Sequence, residues 1–216
     1  ETGVKAFVFS STAATFGIPE TMPISESTAQ KPINPYGESK LCFEKVLHWY
    51  SQIHDLKYAA LRYFNAAGAD PECETGERHE PETHLIPRAL MAADGKLPDF
   101  YVMGDDYPTP DGPCIRDYIH ILDLASAHIK AVERLIAGGD GEGIAMNLGT
   151  GSGLSVKQIL DAIDSVTGLP MKYSMGPPSL VADASRALRV LGWKPEHSGV
   201  EEIIRDAWNW YRHDNA

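Results

Sequence analysis

The sequence is poor in cysteine, in basic residues and in long apolar runs. Its 216 residues include only three cysteines, and this odd, scattered set does not suggest a disulfide framework. We therefore expect reduced thiols, as in a cytoplasmic protein. Lys and Arg number 19 against 30 Asp and Glu, which gives a net charge of −11. A chain this acidic lacks the basic face that nucleic-acid phosphates require, so nucleic-acid binding is not expected.

The apolar segments are all much shorter than the roughly 20 residues that a membrane-spanning helix needs. The chain does not open with a basic segment followed by an apolar one, so we expect no secretion signal and no membrane partner. A hydrophobic content of 43% and a charged content of 23% are those of an ordinary globular protein.

Metal-ligand spacings are also lacking. His79 and His84 lie in a charged, irregular segment, but the chain contains no spacing such as His-Glu-x-x-His. The sequence therefore predicts no metal site.

What is present is an alternation of strand-like and helix-like segments, typical of an α/β protein. Short apolar runs at Ala6–Phe9 and Lys57–Phe64 predict strands, and residues 36–54 predict a helix between them. A strand–helix–strand order implies a right-handed crossover and parallel strands. Ser10–Thr12 and a polar turn from Asn65 would then lie at one edge of the sheet. That edge is where open α/β sheets bind ligands.

Tyr36 and Lys40 open the predicted helix, in the segment Tyr-Gly-Glu-Ser-Lys. Residues four apart lie on one face of a helix, so the phenol and the ammonium can point to the same place. A nearby ammonium favours the ionised form of a phenol and makes it useful as an acid and base. Taken alone, the pair is better explained by an ordinary surface helix, because chance often produces this spacing. Its position at the predicted ligand-binding edge favours a catalytic site.

Arg116 lies in the apolar segment Ile115–Ile121, which predicts a strand, as residues 99–104 also do. A guanidinium in such a place often holds an anion, because its planar fork suits phosphate. An internal ion pair with Asp117 is equally compatible with the sequence. The glycines of residues 149–153 lack the spacing of a dinucleotide-binding loop, so we do not assign one there.

Seven segments in chain order carry a resemblance to a known family. They are Phe9–Gly17, Tyr36–Lys40, Leu61–Gly68, Gly104–Thr109, Arg116–His120, Asn147–Gly151 and Val181–Ser185. Together they resemble the extended short-chain dehydrogenase/reductase family, and within it the isomerases that epimerise UDP-sugars at C4.

The resemblance implies part of a Rossmann-type parallel sheet, without its N-terminal strands, plus a smaller mixed α/β substrate-binding domain. Residues 1–70 would form the C-terminal part of the NAD-binding domain. Residues 71–216 would mainly bind the UDP-sugar, with segments around 115–135 returning to the Rossmann sheet. The family also implies a homodimer.

The implied activity is the NAD-dependent interconversion of UDP-glucose and UDP-galactose, a reaction of galactose metabolism. Tyr36 would take the proton of the sugar 4-OH while C4 gives a hydride to NAD, and the keto sugar would take the hydride back on its other face. Two alternatives stay open. The chain could belong to another nucleotide-sugar epimerase of the family, or it could be an inactive fragment that only binds nucleotide sugars or dimerises.

The resemblance also implies residue roles. The catalytic set is Tyr36, Lys40 and Thr12, with Lys40 also holding the nicotinamide ribose. The cofactor-binding set is Ser10, Ser11, Tyr36, Lys40, Tyr63 and Phe64. The substrate-binding set is Thr12, Asn65, His84, Leu85, Tyr101, Val102, Met103, Arg116 and Leu180.

Some positions depart from the family or separate its members. Ala13 and Ala14 stand where the 4,6-dehydratases of the family carry an Asp-Glu pair, which argues against dehydration. The bulky Leu180 favours UDP-glucose and UDP-galactose over N-acetylated sugars. His84 replaces the Asn that is common there. The glycine-rich cofactor loop is missing, and so is the Arg-containing segment expected after Pro177. We therefore expect these 216 residues alone to bind NAD poorly and to have little activity.

Overall fold

Two folding units share the chain in the computed structural model, which describes residues 3–97, 100–102, 109–138, 143–170 and 183–214. Unit 1 comprises Glu1–Phe64, Leu124–Gly151 and Val181–Lys194. Unit 2 comprises Asn65–Asp123, Ser152–Leu180 and Pro195–Ala216. The assignment of cofactor and sugar binding to separate parts of the chain stays a prediction.

The elements alternate along the chain as an α/β protein requires. The strands are β1 (Ala6–Thr12), β2 (Lys57–Tyr63), β3 (Asn65–Ala67), β4 (Ile115–Arg116), β5 (Tyr118–His120), β6 (Ile144–Leu148) and β7 (Leu154–Ser155). The helices are α1 (Pro35–His54), α2 (Leu85–Ala93), α3 (Ile121–Ile136), α4 (Val156–Thr167), α5 (Ser185–Leu191) and α6 (Val200–Asp214).

Unit 1 is built on a parallel sheet with the strand order β1-β2-β6. Residues Ala59, Ala60 and Leu61 in the central strand are fully buried, as expected for a strand covered on both faces. The predicted strand–helix–strand crossover is confirmed, and the fold is of the predicted parallel α/β class.

Helix α1 begins at Pro35, one residue before the predicted start. The side chain of Asn34 accepts a hydrogen bond of 2.7 Å from the backbone N–H of Gly37, and Pro35 occupies the first turn. The helix ends at His54, because Asp55 adopts a left-handed conformation with φ of 55°. This N-terminal cap fixes where the first turn, with Tyr36, lies relative to the preceding loop.

Unit 2 has a helical core formed by α2, α4 and α6. Ile159, Ile163 and Ile203 are fully buried within it. Helix α4 starts with a capping box, in which the Ser155 and Gln158 side chains each bond the other residue's backbone N–H. Two small sheets complete the unit: β3 pairs with β5 in parallel, and β4 pairs with β7 antiparallel.

Three local predictions differ from the structure. The polar turn predicted at Asn65 is strand β3, because the Asn65 backbone N–H donates to the carbonyl of Asp117 in a pairing distant in sequence. The single strand expected over Ile115–Ile121 is two short strands in different sheets, followed at once by α3. A strand was also expected over residues 99–104, but the described part, residues 100–102, is not in a strand.

All three cysteines, Cys42, Cys73 and Cys114, are free thiols, as predicted. In the part of the chain that the structure describes, every helix is too short or too polar to cross a membrane.

Candidate active site

The carboxyl ends of β1 and β2 lie side by side and carry several of the predicted residues. The register of the parallel pair sets Thr12 opposite Tyr63 and Ser11 opposite Arg62. The next residue after β2 is Phe64, which is half-buried. The structure thus brings the predicted cofactor-binding residues of both strands to one edge of the sheet.

Gly37 brings the start of α1 against this edge. A Cβ added at Gly37 would lie 2.4 Å from the carbonyl oxygen of Ala14, in the short 3₁₀ helix that follows β1. Only a residue without a side chain permits this approach of two backbones. Tyr36 is therefore placed beside the end of β1, with 54% of its surface exposed.

Lys40 connects α1 to the strand edge. Its Nζ donates a 2.9 Å hydrogen bond to the carbonyl oxygen of Ser10 and lies 5.6 Å from the ring centroid of Tyr36. The ammonium of Lys40 therefore lies near the ring of Tyr36. The convergence of the phenol oxygen and the ammonium on one point stays a prediction. The ring of Phe9 lies 5.1 Å from the same ammonium, a distance at which a ring face attracts a cation.

His128 of α3 adds a residue that the sequence did not indicate. Its Nε2 lies 3.1 Å from the hydroxyl of Ser10, and its ring centroid lies 6.4 Å from that of Tyr63. Its Nδ1 lies 2.8 Å from the carbonyl oxygen of Leu124, an acceptor that requires the proton on Nδ1. With that tautomer Nε2 accepts from Ser10, so this hydroxyl has a fixed partner.

Ser11 has an internal partner. Its hydroxyl donates a 2.5 Å hydrogen bond to Glu44, and the carboxylate of Glu44 is paired with Arg62, all in the interior of unit 1. Burial raises the pKa of Glu44, but the hydrogen bond and charge of Arg62, with smaller contributions from Ser11 and Gln30, together hold it below its ordinary value. A cofactor contact by Ser11 stays a prediction.

Thr12 is the last residue of β1 and caps the short 3₁₀ helix that follows. Its Oγ1 accepts a 3.2 Å hydrogen bond from the backbone N–H of Ala14, and the residue is 7% exposed. A hydroxyl that accepts a bond still has its own proton to donate. Thr12 can therefore present a donor at the same edge as Tyr36.

In unit 2, the side chains of Asn65 and Arg116 donate hydrogen bonds to backbone carbonyl groups. Asn65 Nδ2 donates to the carbonyl of Asp117 at 3.0 Å, and Arg116 Nη1 donates to the carbonyl of Ile115 at 3.0 Å. Arg116 is half-buried in β4. The predicted anion contact of Arg116 and sugar contact of Asn65 stay predictions.

The remaining substrate-binding predictions fall in varied surroundings. His84 precedes α2 and its side chain is 61% exposed, and Tyr101 is 62% exposed. Leu85 and Val102 pack in the helical core of unit 2, with Val102 only 4% exposed. Met103 and Leu180, and the segment after Pro177, lie outside the described residues.

A family comparison accords with this geometry. Residues 1–149 match the model of the family described as "NAD dependent epimerase/dehydratase family". The chain belongs to this family.

Members of the family with established names extend the likeness over the whole chain. A UDP-glucose 4-epimerase of Rhizobium leguminosarum bv. trifolii is 50% identical over 219 residues, which is 99% of this chain and 66% of that protein. The crystal structure of the Brucella ovis UDP-glucose 4-epimerase in complex with NAD is 49% identical, with a TM-score of 0.91, over 96% of this chain and 65% of that one.

A second solved structure contains both a cofactor and a sugar nucleotide. It is the UDP-glucose-4-epimerase of Stenotrophomonas maltophila with bound NAD and formylated UDP-arabinopyranose, 40% identical with a TM-score of 0.92. The match covers 99% of this chain and 65% of that one. The chain thus spans slightly less than two thirds of the relatives that it matches.

The residues at the unit 1 edge fit the nicotinamide half of a dinucleotide. An ammonium carries three N–H donors, and the bond from Lys40 to Ser10 uses one, so the others can reach ribose hydroxyls. Tyr63 and Phe64 supply aromatic surface at the strand end. The donor set of this chain therefore suits the part of the cofactor at which hydride transfer takes place.

Proposed function

We propose that this chain is part of an enzyme that interconverts UDP-glucose and UDP-galactose with NAD as its cofactor. The observation that carries the proposal is the placement of Lys40 Nζ, 2.9 Å from the Ser10 carbonyl at the end of β1 and 5.6 Å from the Tyr36 ring. Named UDP-glucose 4-epimerases at 44–50% identity over nearly the whole chain support it.

Tyr36 is the proposed general base and general acid. Its phenolate accepts the proton of the sugar 4-OH and later returns a proton to the same oxygen. Lys40 supplies a positive charge near this group, with its Nζ 5.6 Å from the centroid of the Tyr36 ring. Thr12 donates a hydrogen bond to the 4-oxygen and holds it towards Tyr36.

When bound, NAD would supply hydride transfer at C4 of the sugar, with loss and return of the hydride on opposite faces, so the net reaction would be an isomerisation. Lys40 would hold the nicotinamide ribose through its remaining N–H groups. Tyr63 and Phe64 would contact the nicotinamide, and Ser10 and Ser11 would line the cofactor at the end of β1. The NAD-bound structure of the related Brucella ovis protein supports NAD as the cofactor.

UDP-sugar binding is proposed for residues of unit 2. Arg116 would hold the diphosphate, since a guanidinium offers several N–H donors to phosphate oxygens. The sugar nucleotide in the Stenotrophomonas maltophila protein supports this substrate class. The other proposed contacts are Asn65, His84, Leu85, Tyr101, Val102, Met103 and Leu180.

The test is an assay of the complete gene product that contains this chain. The protein is incubated with UDP-galactose without added NAD, and the formation of UDP-glucose is measured. In a separate sample the protein is denatured, and any bound nucleotide that is released is identified. We expect UDP-glucose to form and NAD to be released. Turnover of UDP-N-acetylglucosamine at a comparable rate would instead assign the broader epimerase activity, and nucleotide-sugar binding without turnover would overturn the proposal.

We also propose that the enzyme is a homodimer in the cytoplasm, a location that its free thiols support. Helix α1 exposes Phe43, Val46, Tyr50 and Ile53, which follow the spacing of one helix face, and Ile53 is 68% exposed. An apolar face of this kind is typical of a surface that a second copy covers. Sedimentation of the wild type and an Ile53→Glu variant tests it: a dimer that dissociates in the variant supports the assignment, and a monomeric wild type refutes it.

A further inference from the structure

Four potential metal ligands of unit 2 converge in the loop before α2. They are Glu77, His79, Glu82 and His84, and one ligand atom of each lies within 4.8 Å of every other. Nδ1 of His84 contacts the carboxylate of Glu77 and lies 3.3 Å from Oε1 of Glu82. The rings of His79 and His84 stack with their centroids 5.5 Å apart. Two imidazoles and two carboxylates thus face one point.

We propose that this cluster binds one divalent transition-metal ion, of which Zn²⁺ is the representative. Imidazole nitrogen and carboxylate oxygen are ordinary Zn²⁺ ligands, with bonds of about 2.0–2.2 Å. A set with two histidines disfavours Mg²⁺ and Ca²⁺, which prefer oxygen ligands. Four such ligands around one ion lie roughly 3.3 Å apart in a tetrahedron. Exposed side chains can close to that spacing by small rotations.

The carboxylate of Glu82 is already oriented. Its Oε1 accepts hydrogen bonds of 2.7 Å from the backbone N–H groups of both Thr83 and His84. Ligating carboxylates in metal sites are typically held by such outer hydrogen bonds. The backbone carbonyl of Glu82 also accepts a 3.2 Å bond from Arg88 of α2. This ligand is therefore fixed at both its side chain and its backbone.

The backbone at Glu77 is fixed by α6. The indole Nε1 of Trp210 donates a 2.9 Å hydrogen bond to the carbonyl of Glu77. The residue before it, Gly76, lies so close to the indole that an added Cβ would be 2.1 Å from a ring carbon. Arg78 pairs with Asp214, also in α6. The first ligand is thus carried by a loop that is anchored to the core.

The local charge also favours a cation. Six acidic residues and a single basic residue, Arg78, occur in residues 70–84. The positive charge of Arg78 is paired with Asp214 of α6 and not with the four proposed ligands. The negative potential of such a segment raises the local concentration of cations.

The sequence spacing predicted no metal site, so the proposed site departs from that prediction. It also goes beyond the proposed epimerase function. The ligands come from a loop with the spacing Glu-x-His-x-x-Glu-x-His, which is not a helical motif, so their convergence depends on the fold of the loop. The Nδ1 atom of His84 would bind the ion. Its Nε2 stays available for the substrate contact proposed above, because the two ring nitrogens are separate ligands.

Calorimetric titration of the complete, tag-free protein with ZnCl₂ tests the proposal, with MgCl₂ as a second probe. We expect one Zn²⁺ per chain and far weaker Mg²⁺ binding. His79→Ala should weaken Zn²⁺ binding roughly tenfold or more, and His79→Ala with His84→Ala should abolish the site. Glu80→Gln, which removes an acidic residue from the same loop outside the cluster, and His48→Ala, which removes an exposed histidine of α1, should leave binding unchanged.

Circular dichroism and thermal unfolding without metal show whether each variant is folded. The ligands are exposed or half-exposed, so we expect the variants to fold. If the double variant is unfolded, Glu77→Gln combined with Glu82→Gln replaces it and should also abolish binding. Absence of one-per-chain binding in the wild type, survival of binding in the double variant, or equal loss in a control variant would each overturn the proposal. If His84 only bridges the two glutamates through hydrogen bonds, the wild type will not bind one Zn²⁺ per chain.

Discussion

Arg62 and Glu44 form a buried ion pair beneath the strand edge that carries the proposed active site. Arg62 Nη2 lies 2.5 Å from Glu44 Oε2, and each side chain is 7% exposed. The carboxylate also accepts hydrogen bonds from Ser11 and Gln30. Ser11 follows Ser10 in β1, so this internal network supports the backbone that binds Lys40.

Replacing one partner of this pair should destabilise the protein strongly. Arg62→Met leaves an unpaired buried carboxylate, and we expect a loss of about 3–5 kcal/mol in the free energy of unfolding, measured by urea denaturation. Arg62→Met combined with Glu44→Leu should lose less than the sum of the single variants. Lys157→Met, which breaks the exposed pair with Asp161, is the control and should have little effect. Additive effects of the two buried substitutions would contradict this account.

Stability should fall in acid because of Glu44. Burial raises its pKa, but the bonds and charge of Arg62 outweigh burial and hold the folded-state pKa below 4.5. A lowered carboxyl pKa adds stability that is present above the unfolded-state pKa and is lost as the pH falls through the folded-state value. The free energy of unfolding, measured between about pH 6 and pH 3, should therefore decrease below about pH 4.5. Glu44→Gln should show a shallower decrease over the same range, and an identical slope would refute the assignment.

Gly37→Ala should disturb both stability and activity. The new methyl group would overlap the carbonyl of Ala14 and push α1 from the end of β1. We expect a cost of about 1–3 kcal/mol in urea unfolding, with a lower turnover number because Tyr36 and Lys40 move with the helix. Gly199→Ala is the matched control, since an added Cβ there meets no atom within 4 Å. Equal effects of the two substitutions would be evidence against the close approach.

Substitutions of Tyr36 and Lys40 should have different effects on turnover and on NAD binding. Tyr36→Phe removes the acid–base group and should lower kcat by about 100- to 10,000-fold while bound NAD is retained. Lys40→Met should lower both turnover and the amount of NAD that is retained after purification. Lys45→Met removes an exposed lysine from the same helix and should change neither. Wild-type turnover by the Tyr36→Phe variant would overturn the role of the phenol.

The elements that carry the proposed catalytic pair were predictable because their signals are local. Asn34 and Pro35 mark the start of α1, and a parallel crossover fixes which edge Tyr36 approaches. The position of Lys40 follows from helical spacing. These predictions needed only the order of the elements and the direction of the strands.

Several contacts in the two units were not predictable, because they join residues far apart in sequence. His128 lies 118 residues from its partner Ser10, and neither has a distinctive neighbour pattern. Asn65 occurs in a polar segment that resembles a turn, and only its pairing with β5 makes it a strand. Glu44 has no local signal that sets it apart from the other charged residues of α1, and its partner Arg62 lies 18 residues away in sequence.

The close approach of Gly76 to the indole of Trp210 gives unit 2 an optical reporter. Indole emission depends on the polarity and charge around the ring. The indole of Trp210 donates a hydrogen bond to the backbone carbonyl of Glu77 and lies close to Gly76. Events in the loop before α2 therefore reach a chromophore without any added label. Replacing the other three tryptophans with phenylalanine would leave a single emitter whose spectrum follows that loop.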